Sequence, residues 1–326
     1  MAEWLYEFGI GEERAILVEE GRICAARIDW GEALRAGLVI EGQLVARKGK
    51  RGTVRLSDGT EVLVDQLPGD TTQGARLIVR ITRAPIAERG RTKLAQARPA
   101  LDSEPRPAPS LLEALRDAGE TVRELRITDH DFSDAGWHEL LEQALSQTVD
   151  FPGGLLTISP TPAMTLIDVD GALPGPALAL AAIPAIADAL RRFDISGSVG
   201  IDFPTLADKR DRQAADAALA DALGDWRRER TAMNGFGFVQ LVSRLERPSF
   251  IQRMARPAPA AVRMLLRQAE RVTEPGALLL TAHPAVHAAM KREWEEELAR
   301  RTGREIRWYD DAGLALTGGF AQAIAP

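Results

Sequence analysis

The stretch MTLIDVDGALPGPALALAAIPAIADALRRFDISGSVGIDF, residues 164–203, indicates the fold of this chain most clearly. Two short apolar segments, MTLI and SVGI, flank an alanine- and leucine-rich segment with the length of a single helix. A strand–helix–strand unit of this kind makes the two strands parallel and joins them by one right-handed crossover. Asp168 closes the first strand and Asp202 closes the second, so both carboxylates are expected at the C-terminal edge of one sheet.

The spacing of the two strands determines what these carboxylates can do. Adjacent parallel strands lie about 4.8 Å apart, which lets two carboxylates share one hard cation. Mg²⁺ is usually held by one or two carboxylates together with water and phosphate oxygens, so the pattern predicts a magnesium site at Asp168 and Asp202. Asp170 points to the same side as Asp168, as a third ligand or a supporting partner. The alternative is that each aspartate ends its strand by starting a turn or capping a helix.

The chain around this unit is typical of a multidomain α+β or α/β protein. After residue 110, apolar strands alternate with helices over 177–193 and 207–230, which predicts a largely parallel, buried sheet. The tail is predicted to be a small βαβ-like cap of helix, strand, helix over 285–303 and strand. The first helix of this region begins with Ser110 and has Glu113 three residues later, the pattern of a capping box.

Charge is unevenly distributed along the chain. The net charge is −6, but residues 43–98 contain twelve Lys or Arg and five Asp or Glu, which gives +7 and leaves −13 for the rest. A basic module in an acidic protein favours a polyanionic partner. Cys24 is the only cysteine, which excludes an internal disulfide framework and a cysteine-based zinc site. We recognise no export signal and no apolar run long enough for a membrane span, so we expect a cytoplasmic protein with no membrane partner.

The basic module has the pattern of a small β-barrel. Residues 43–83 form short alternating runs broken by glycines, and Asp58–Gly59 is a strong hairpin signal. Several short strands within about 60 residues are typical of an OB-type barrel. The last barrel strand is expected at 77–83, followed by a basic loop over 88–98 and a proline-rich linker over 99–109.

Several segments together resemble the ribonuclease E/G family. Residues 149–171, VDFPGGLLTISPTPAMTLIDVDG, resemble the Gly-Gly strand and turn that lead to the family's first catalytic aspartate, and residues 185–203 resemble the approach to the second. Residues 234–250, NGFGFVQLVSRLERPSF, resemble its Phe-Gly strand. Residues 12–29 resemble its N-terminal hairpin, and the final ~70 residues resemble its small C-terminal domain. The resemblance is collinear over most of the chain.

The resemblance implies a Mg²⁺-dependent endoribonuclease that cuts single-stranded RNA and leaves a 5′-phosphate and a 3′-hydroxyl. Asp168 and Asp202 match the metal-binding aspartates, and Asp170 stands where the family usually has an asparagine that steadies the first of them. The implied domains are a ribonuclease-H-like piece over 1–36 and 110–150, an OB-type RNA-binding barrel over 37–98, a linker over 99–109, a DNase-I-like catalytic piece over 151–254, and a small C-terminal domain over 255–326.

The resemblance also places basic RNA contacts near the end of the barrel. A solvated basic loop without a ligand is the alternative. The candidate contacts to RNA phosphates are Arg83, Arg89, Arg91, Lys93 and Arg98.

The sequence departs from the family's pattern around the expected site. Residues 43–100 contain no Phe, Tyr or Trp, so stacking on RNA bases is not available there and charge must supply the affinity. The family's Arg before the Phe-Gly pair is Gly235, its later Glu is Gln240, and its basic pair is displaced around Arg244. These changes keep open a non-catalytic RNA-binding or ribosome-associated protein, and a third hypothesis is a protein-interaction scaffold that uses the acidic helical surface.

Two family features are expected to be missing. Only about a dozen residues lie between the barrel and residue 110, too few for the family's 5′-phosphate-sensing subdomain, so we expect cleavage that is indifferent to the 5′ end of the RNA. Residues 250–259 contain none of the cysteines through which large members bind zinc across a subunit pair. A homo-oligomer, if one forms, would therefore assemble without that zinc link.

Overall fold

The computed structural model describes residues 2–88, 90–224, 226 and 229–325. The chain divides into two compact units, each built from segments that are distant in the sequence. The first unit comprises Met1–Gly31, Leu115–Ser146 and Phe250–Pro326, and the second comprises Glu32–Ala114 and Gln147–Ser249.

The strands, in chain order, are β1 (Glu3–Gly9), β2 (Glu12–Glu19), β3 (Arg22–Asp29), β4 (Val39–Lys48), β5 (Arg51–Arg55), β6 (Glu61–Asp65), β7 (Arg76–Arg83), β8 (Ile86–Glu88), β9 (Arg91–Lys93), β10 (Gln96–Pro99), β11 (Val122–Leu125), β12 (Thr148–Phe151), β13 (Gly154–Pro160), β14 (Thr165–Gly171), β15 (Ser198–Asp202), β16 (Glu229–Arg230), β17 (Phe238–Val242), β18 (Ala277–Ala282), β19 (Ile306–Asp310) and β20 (Phe320–Ile324).

The helices, in chain order, are α1 (Leu111–Asp117), α2 (Asp131–Asp134), α3 (Trp137–Ser146), α4 (Gly175–Arg192), α5 (Lys209–Leu223), α6 (Phe250–Met254), α7 (Pro257–Glu270), α8 (Pro284–His287) and α9 (Arg292–Thr302), and a 3₁₀ turn covers Leu316–Gly318. No helix within the described residues is long and apolar enough to cross a membrane.

The first unit contains two sheets. The larger has the strand order β11–β1–β2–β3, in which only β1 and β11 run parallel. The hairpin expected over 12–29 is confirmed as β2 and β3. The smaller sheet has the order β19–β18–β20, with β18 and β19 parallel, which confirms the strand–helix–strand arrangement of the tail. Strand β20 was not predicted, and it pairs antiparallel with β18.

The single helix predicted over 285–303 is wrong. The structure has α8 and α9 instead, and Ala289 and Met290, which lie between them, pack against the core. Nothing in the local sequence forbids a continuous helix at this point. Burial of these apolar side chains therefore outweighs local helix propensity.

In the second unit, the basic module folds as a closed barrel with the strand order β10–β6–β5–β4–β7, which fits the OB-type prediction. The Asp58–Gly59 hairpin is confirmed between β5 and β6. The prediction that the strand at 77–83 is the last of the barrel is wrong, because β10 pairs with both β6 and β7 and closes it. The basic loop expected over 88–98 is also wrong, since β8 and β9 form a hairpin there.

The proline-rich stretch 99–109 begins within the barrel and then remains attached to it. Pro99 is the last residue of β10, a strand end that tolerates proline. Ala100 N–H donates to the carbonyl of Ile78, and Val39 and Arg106 exchange two backbone hydrogen bonds of 3.0 and 2.9 Å. A free linker is therefore a wrong description of this stretch. Only this stretch lies between β10 and α1. Cleavage that is indifferent to the 5′ end of the RNA stays a prediction.

The other sheet of the second unit has six strands in the order β12–β13–β14–β15–β17–β16. The expectation of a largely parallel sheet is wrong, because only β14 and β15 run parallel and every other neighbouring pair is antiparallel. The reason is connection length. Phe151 and Gly154 are joined by a two-residue turn, which can link only antiparallel strands.

The predicted helices of this region are confirmed in part. Helix α4 corresponds to the prediction over 177–193. The prediction over 207–230 is too long, because α5 ends at Leu223 and residues 229–230 form β16. Residues 225, 227 and 228 of that range lie outside the described part of the chain. The capping box is confirmed, since Ser110 N–H and Oγ donate to Glu113 Oε2 at 2.7 and 2.9 Å.

Candidate functional site

Strands β14 and β15 bring two aspartates side by side. The strands are parallel, and residues 165–168 pair in register with residues 199–202. The predicted adjacency of Asp168 and Asp202 is therefore confirmed, with the strands about 4.8 Å apart. Asp170 follows Asp168 by two residues on the same strand and so points to the same face. We refer to Asp168, Asp170 and Asp202 as the acidic cluster.

The acidic cluster lies on an accessible face of the six-stranded sheet. Helix α4 packs against β12, β13 and β14, and α5 packs against α4. On β14, Ile167 and Val169 are buried, whereas Asp168 and Asp170 are exposed. The expectation of a buried sheet is therefore wrong for one of its two faces. Side chains alternate between an apolar face under α4 and a partly exposed face, which we call the open face.

The surroundings of Asp168 raise the pKa of its carboxyl group. The residue as a whole is exposed, yet loss of water around its carboxyl group is the largest influence that raises its pKa. The nearby carboxylates of Asp170 and Asp202 raise this pKa further. A carboxyl group whose pKa is raised by neighbouring negative charges favours a proton or a cation beside it.

The donor set of the acidic cluster fits Mg²⁺ better than a metal that needs a protein cage. Within the described residues, no group of three or more His, Cys, Asp and Glu side chains is arranged to hold a metal ion. Asp168 and Asp202 provide two carboxylates on neighbouring strands, and two are enough for Mg²⁺, which keeps several water ligands. Asp170 is then better suited to add negative charge beside Asp168 than to act as a third ligand.

The turn before β17 is anchored to the end of β15. Asn234 Oδ1 accepts the backbone N–H groups of Phe236 and Phe238 at 2.9 and 3.0 Å. Phe203 N–H donates to the Gly237 carbonyl at 3.2 Å. Gly237 has a φ of 89°, and a Cβ there would lie 2.6 Å from the Phe203 carbonyl oxygen, so the close approach requires glycine. This rigid turn presents Phe236 with 80 % of its surface exposed.

An aromatic side chain of β17 lies on the open face beside the acidic cluster. Phe238 pairs with Asp202 across β15 and β17, so their side chains share one face. The Phe238 ring lies over Gly200, where an added Cβ would be 2.5 Å from its Cζ atom and 3.0 Å from Leu166 Cδ2. The sequence-based interpretation missed this ring. The alternation of buried and partly exposed residues along β17 was the available signal.

The three departures from the family pattern surround this turn and strand. An added Cβ at Gly235 would meet no atom within 4 Å. Gln240 pairs with Gly200 and therefore lies on the open face. Arg244 is mostly exposed and forms a 3.2 Å ion pair with Glu246.

Two of the predicted RNA-binding cations share one carboxylate. Arg91 Nε and Lys93 Nζ each lie 2.8 Å from the Glu88 carboxylate, and these two cations lower its pKa, mainly through the hydrogen bond from Lys93. Lys93 Nζ also donates to the carbonyl of Pro162 at 2.6 Å. The β8–β9 hairpin is therefore tied to the loop that precedes β14, and its positive charge is partly neutralised.

The remaining candidates lie in different environments. Arg83 is half-buried, donates to the carbonyl of Leu94 at 2.5 Å, and has its pKa lowered chiefly by burial. Arg98 lies on β10 and is exposed. Arg89 lies outside the described residues. The four described cations therefore do not lie on one loop, and Arg98 is separated from the hairpin that carries Arg91 and Lys93.

Comparison with known proteins agrees with the resemblance seen in the sequence. Residues 110–244 match the model of the ribonuclease E/G family. The match is shorter than half of the chain, but it includes the acidic cluster, the turn at Gly237 and the open-face strand β17. A search of curated proteins gave no significant match.

Proposed function

We propose that this chain, a ribonuclease E/G family member over residues 110–244, is a Mg²⁺-dependent endoribonuclease that cuts single-stranded RNA on the open face of its six-stranded sheet. The family name itself points to ribonuclease activity in general. The metal, the single-stranded substrate and the residue roles are the added parts of the proposal.

The register of Asp168 and Asp202 carries this proposal. Two carboxylates at the same level of neighbouring parallel strands can approach one cation from one side, and the exposed face gives a phosphodiester access to it. When bound, Mg²⁺ would lower the pKa of a water molecule and offset charge that develops on the phosphate. Asp170 would add negative charge beside Asp168 and so favour a cation bound there.

The surroundings of the acidic cluster suit a nucleotide. Phe238 provides a ring on the same face as Asp202, and a base stacked on such a ring gains about 1–3 kcal/mol. The Gln240 amide can donate to or accept from a base or sugar. The β8–β9 hairpin would add cations along the RNA through Arg91 and Lys93, and Arg89 stays a predicted RNA contact.

A non-catalytic RNA-binding protein is the second candidate. The observation that favours it is the loss of charge beside the acidic cluster, with Gly235 in place of an arginine and Gln240 in place of a glutamate. A protein of this kind would keep the basic barrel and the open face but would stabilise the transition state poorly. The two candidates bind the same kind of RNA and differ in whether they cut it.

A cleavage assay separates these candidates. Purified protein is incubated with a labelled, A/U-rich single-stranded RNA in Mg²⁺ or in EDTA. Asp202→Asn is compared with Asp188→Asn, because Asp188 is an exposed residue of α4, which covers the opposite face of the sheet. We expect cleavage only in Mg²⁺, retained by Asp188→Asn and lost in Asp202→Asn. Binding without cleavage under all conditions would support the second candidate, and neither binding nor cleavage would reject both.

A further inference from the structure

The outer surface of the barrel carries a row of arginines that the sequence pattern did not reveal. Arg80 on β7 and Arg98 on β10 are directly opposite in the strand register. On its other side, Arg80 pairs with Val39 of β4. Val39 in turn pairs with Arg106 in an isolated antiparallel β-bridge. We call Arg80, Arg98 and Arg106 the arginine row. It spans three strand spacings, or roughly 14 Å.

The three side chains are on one side of the barrel wall and accessible. Directly opposite residues on antiparallel strands point to the same face. The neighbours Val79 and Ile81 of Arg80 belong to the barrel interior, so Arg80 points outward, and Arg98 points outward with it. Arg80, Arg98 and Arg106 are all exposed.

The charge of the arginine row is not compensated. Among the residues that the structure describes, no hydrogen-bond or ion-pair partner is observed for any of its three guanidinium groups. The nearest outward carboxylate along β4 is Glu41, and it pairs with Arg76 at 3.4 Å. Elsewhere on the barrel the exposed arginines have partners, as Arg55 does in Glu61 at 2.9 Å.

Like charges directly opposite each other destabilise a β-ladder, so Arg80 and Arg98 weaken the barrel unless an anion lies between them. Guanidinium groups bind phosphate through two parallel N–H donors. Ala84, which follows β7, donates to the carbonyl of Glu246 at 2.8 Å. Arg80 therefore lies about 13 Å along the strand from Ala84, the residue through which the barrel contacts the segment after β17.

We propose that the arginine row binds successive phosphates of a single-stranded RNA and directs the strand towards the six-stranded sheet. This inference rests on the proposed function, because it takes RNA as the substrate. It adds Arg80 and Arg106 to the RNA contacts and assigns Arg98 to this row instead of to the basic hairpin.

The test measures RNA affinity in EDTA, where cleavage plays no part. Arg80→Gln and Arg106→Gln are compared with Arg55→Gln, a matched change on another strand of the same barrel. We expect each of the first two to weaken binding about 3–10-fold near 0.1 M salt, and to reduce the log–log salt slope by about 0.7 per lost phosphate contact. Arg55→Gln should stay within about twofold of wild type.

Arg80→Glu provides a second readout that a merely structural role would not produce. It replaces a like-charge pair by an attraction between the introduced carboxylate and Arg98, so we expect weaker RNA binding together with an unchanged or higher melting temperature. Equal affinity of Arg80→Gln, Arg106→Gln and Arg55→Gln would overturn the arginine row while leaving the proposed function intact. A wild-type protein that neither binds nor cuts RNA would overturn both.

Discussion

Asp168 and Asp202 occupy the same register position on β14 and β15, the one parallel pair of the six-stranded sheet within the described residues. An antiparallel pair could also have placed two carboxylates opposite each other. In this parallel pair, the crossover helix α4 covers one side of the sheet. Ile167 and Ile201, which precede the two aspartates, are fully buried. The packing that fixes the strands therefore also fixes the carboxylates on the open face.

The close approach of the Phe238 ring to Gly200 predicts that position 200 does not tolerate an added methyl group. Gly200→Ala would place a Cβ 2.5 Å from the Phe238 ring, so the ring or the strand must move. We expect a loss of about 1–3 kcal/mol in the free energy of unfolding, measured in urea. Gly175→Ala is the control, because its Cβ would make an ordinary 3.5 Å contact with Leu206. Equal stability of the two variants would show that the ring adapts freely.

Glu88 is predicted to limit RNA affinity by pairing with Arg91 and Lys93. Glu88→Gln would release two cations for phosphate, so we expect tighter binding to single-stranded RNA. The log–log salt slope should steepen by as much as about 1.4, which corresponds to two further phosphates. Glu61→Gln is the control, because Glu61 pairs with Arg55 away from the hairpin. If both variants bind alike, the β8–β9 hairpin is not on the RNA path.

Gly235 is predicted to accept the arginine that the family resemblance assigns to this position. An added Cβ would meet nothing within 4 Å, so Gly235→Arg should fold with an unchanged melting temperature. A cation next to the Phe236–Gly237 turn would offset charge on a bound phosphate, and we expect cleavage of RNA to become about threefold faster, a gain of under 1 kcal/mol. Gly235→Gln adds bulk without charge and should not accelerate cleavage. A folded arginine variant with no gain would remove this position from the site.

The capping box of α1 predicts a defined pH dependence of stability. The Ser110 backbone N–H lowers the Glu113 pKa most, and the Ser110 hydroxyl lowers it further. A lowered folded-state pKa contributes stability above the unfolded pKa, and this contribution is lost as the pH falls through the folded value. The melting temperature of wild type should therefore exceed that of Glu113→Gln at pH 7. The difference should begin to shrink near the unfolded pKa of about 4.3 and disappear only below the lowered folded-state pKa. A difference that is constant with pH would contradict this account.

The sequence was sufficient for features that depend on local pattern. The strand–helix–strand unit of residues 164–203 predicted the adjacency of Asp168 and Asp202, and the turn signal at Asp58–Gly59 predicted its hairpin. Strand direction beyond that unit depends on connection length, and the two-residue connection between Phe151 and Gly154 makes β12 and β13 antiparallel. The closure of the barrel by β10 was not predicted, because Pro99 and the prolines after it are typical of a linker.

Features that depend on pairing between distant strands could not be predicted from one sequence. Phe238 lies beside Asp202, and Arg80 lies opposite Arg98, only because of the registers of β17 and β10. Both registers are set by packing in three dimensions. The family resemblance gave the identity of candidate residues, whereas the strand register gave their neighbours.

The rate of single-turnover RNA cleavage as a function of Mg²⁺ concentration tests the central claim most directly. If Asp168 and Asp202 hold the metal, Asp202→Asn should need at least about tenfold more Mg²⁺ for its half-maximal rate and should cut at least about 100-fold more slowly at saturation. Asp188→Asn should follow the wild-type curve, and RNA affinity in EDTA should be the same for all three proteins. An Asp202→Asn protein with the wild-type rate and the wild-type Mg²⁺ dependence would contradict the assignment of the metal to the acidic cluster.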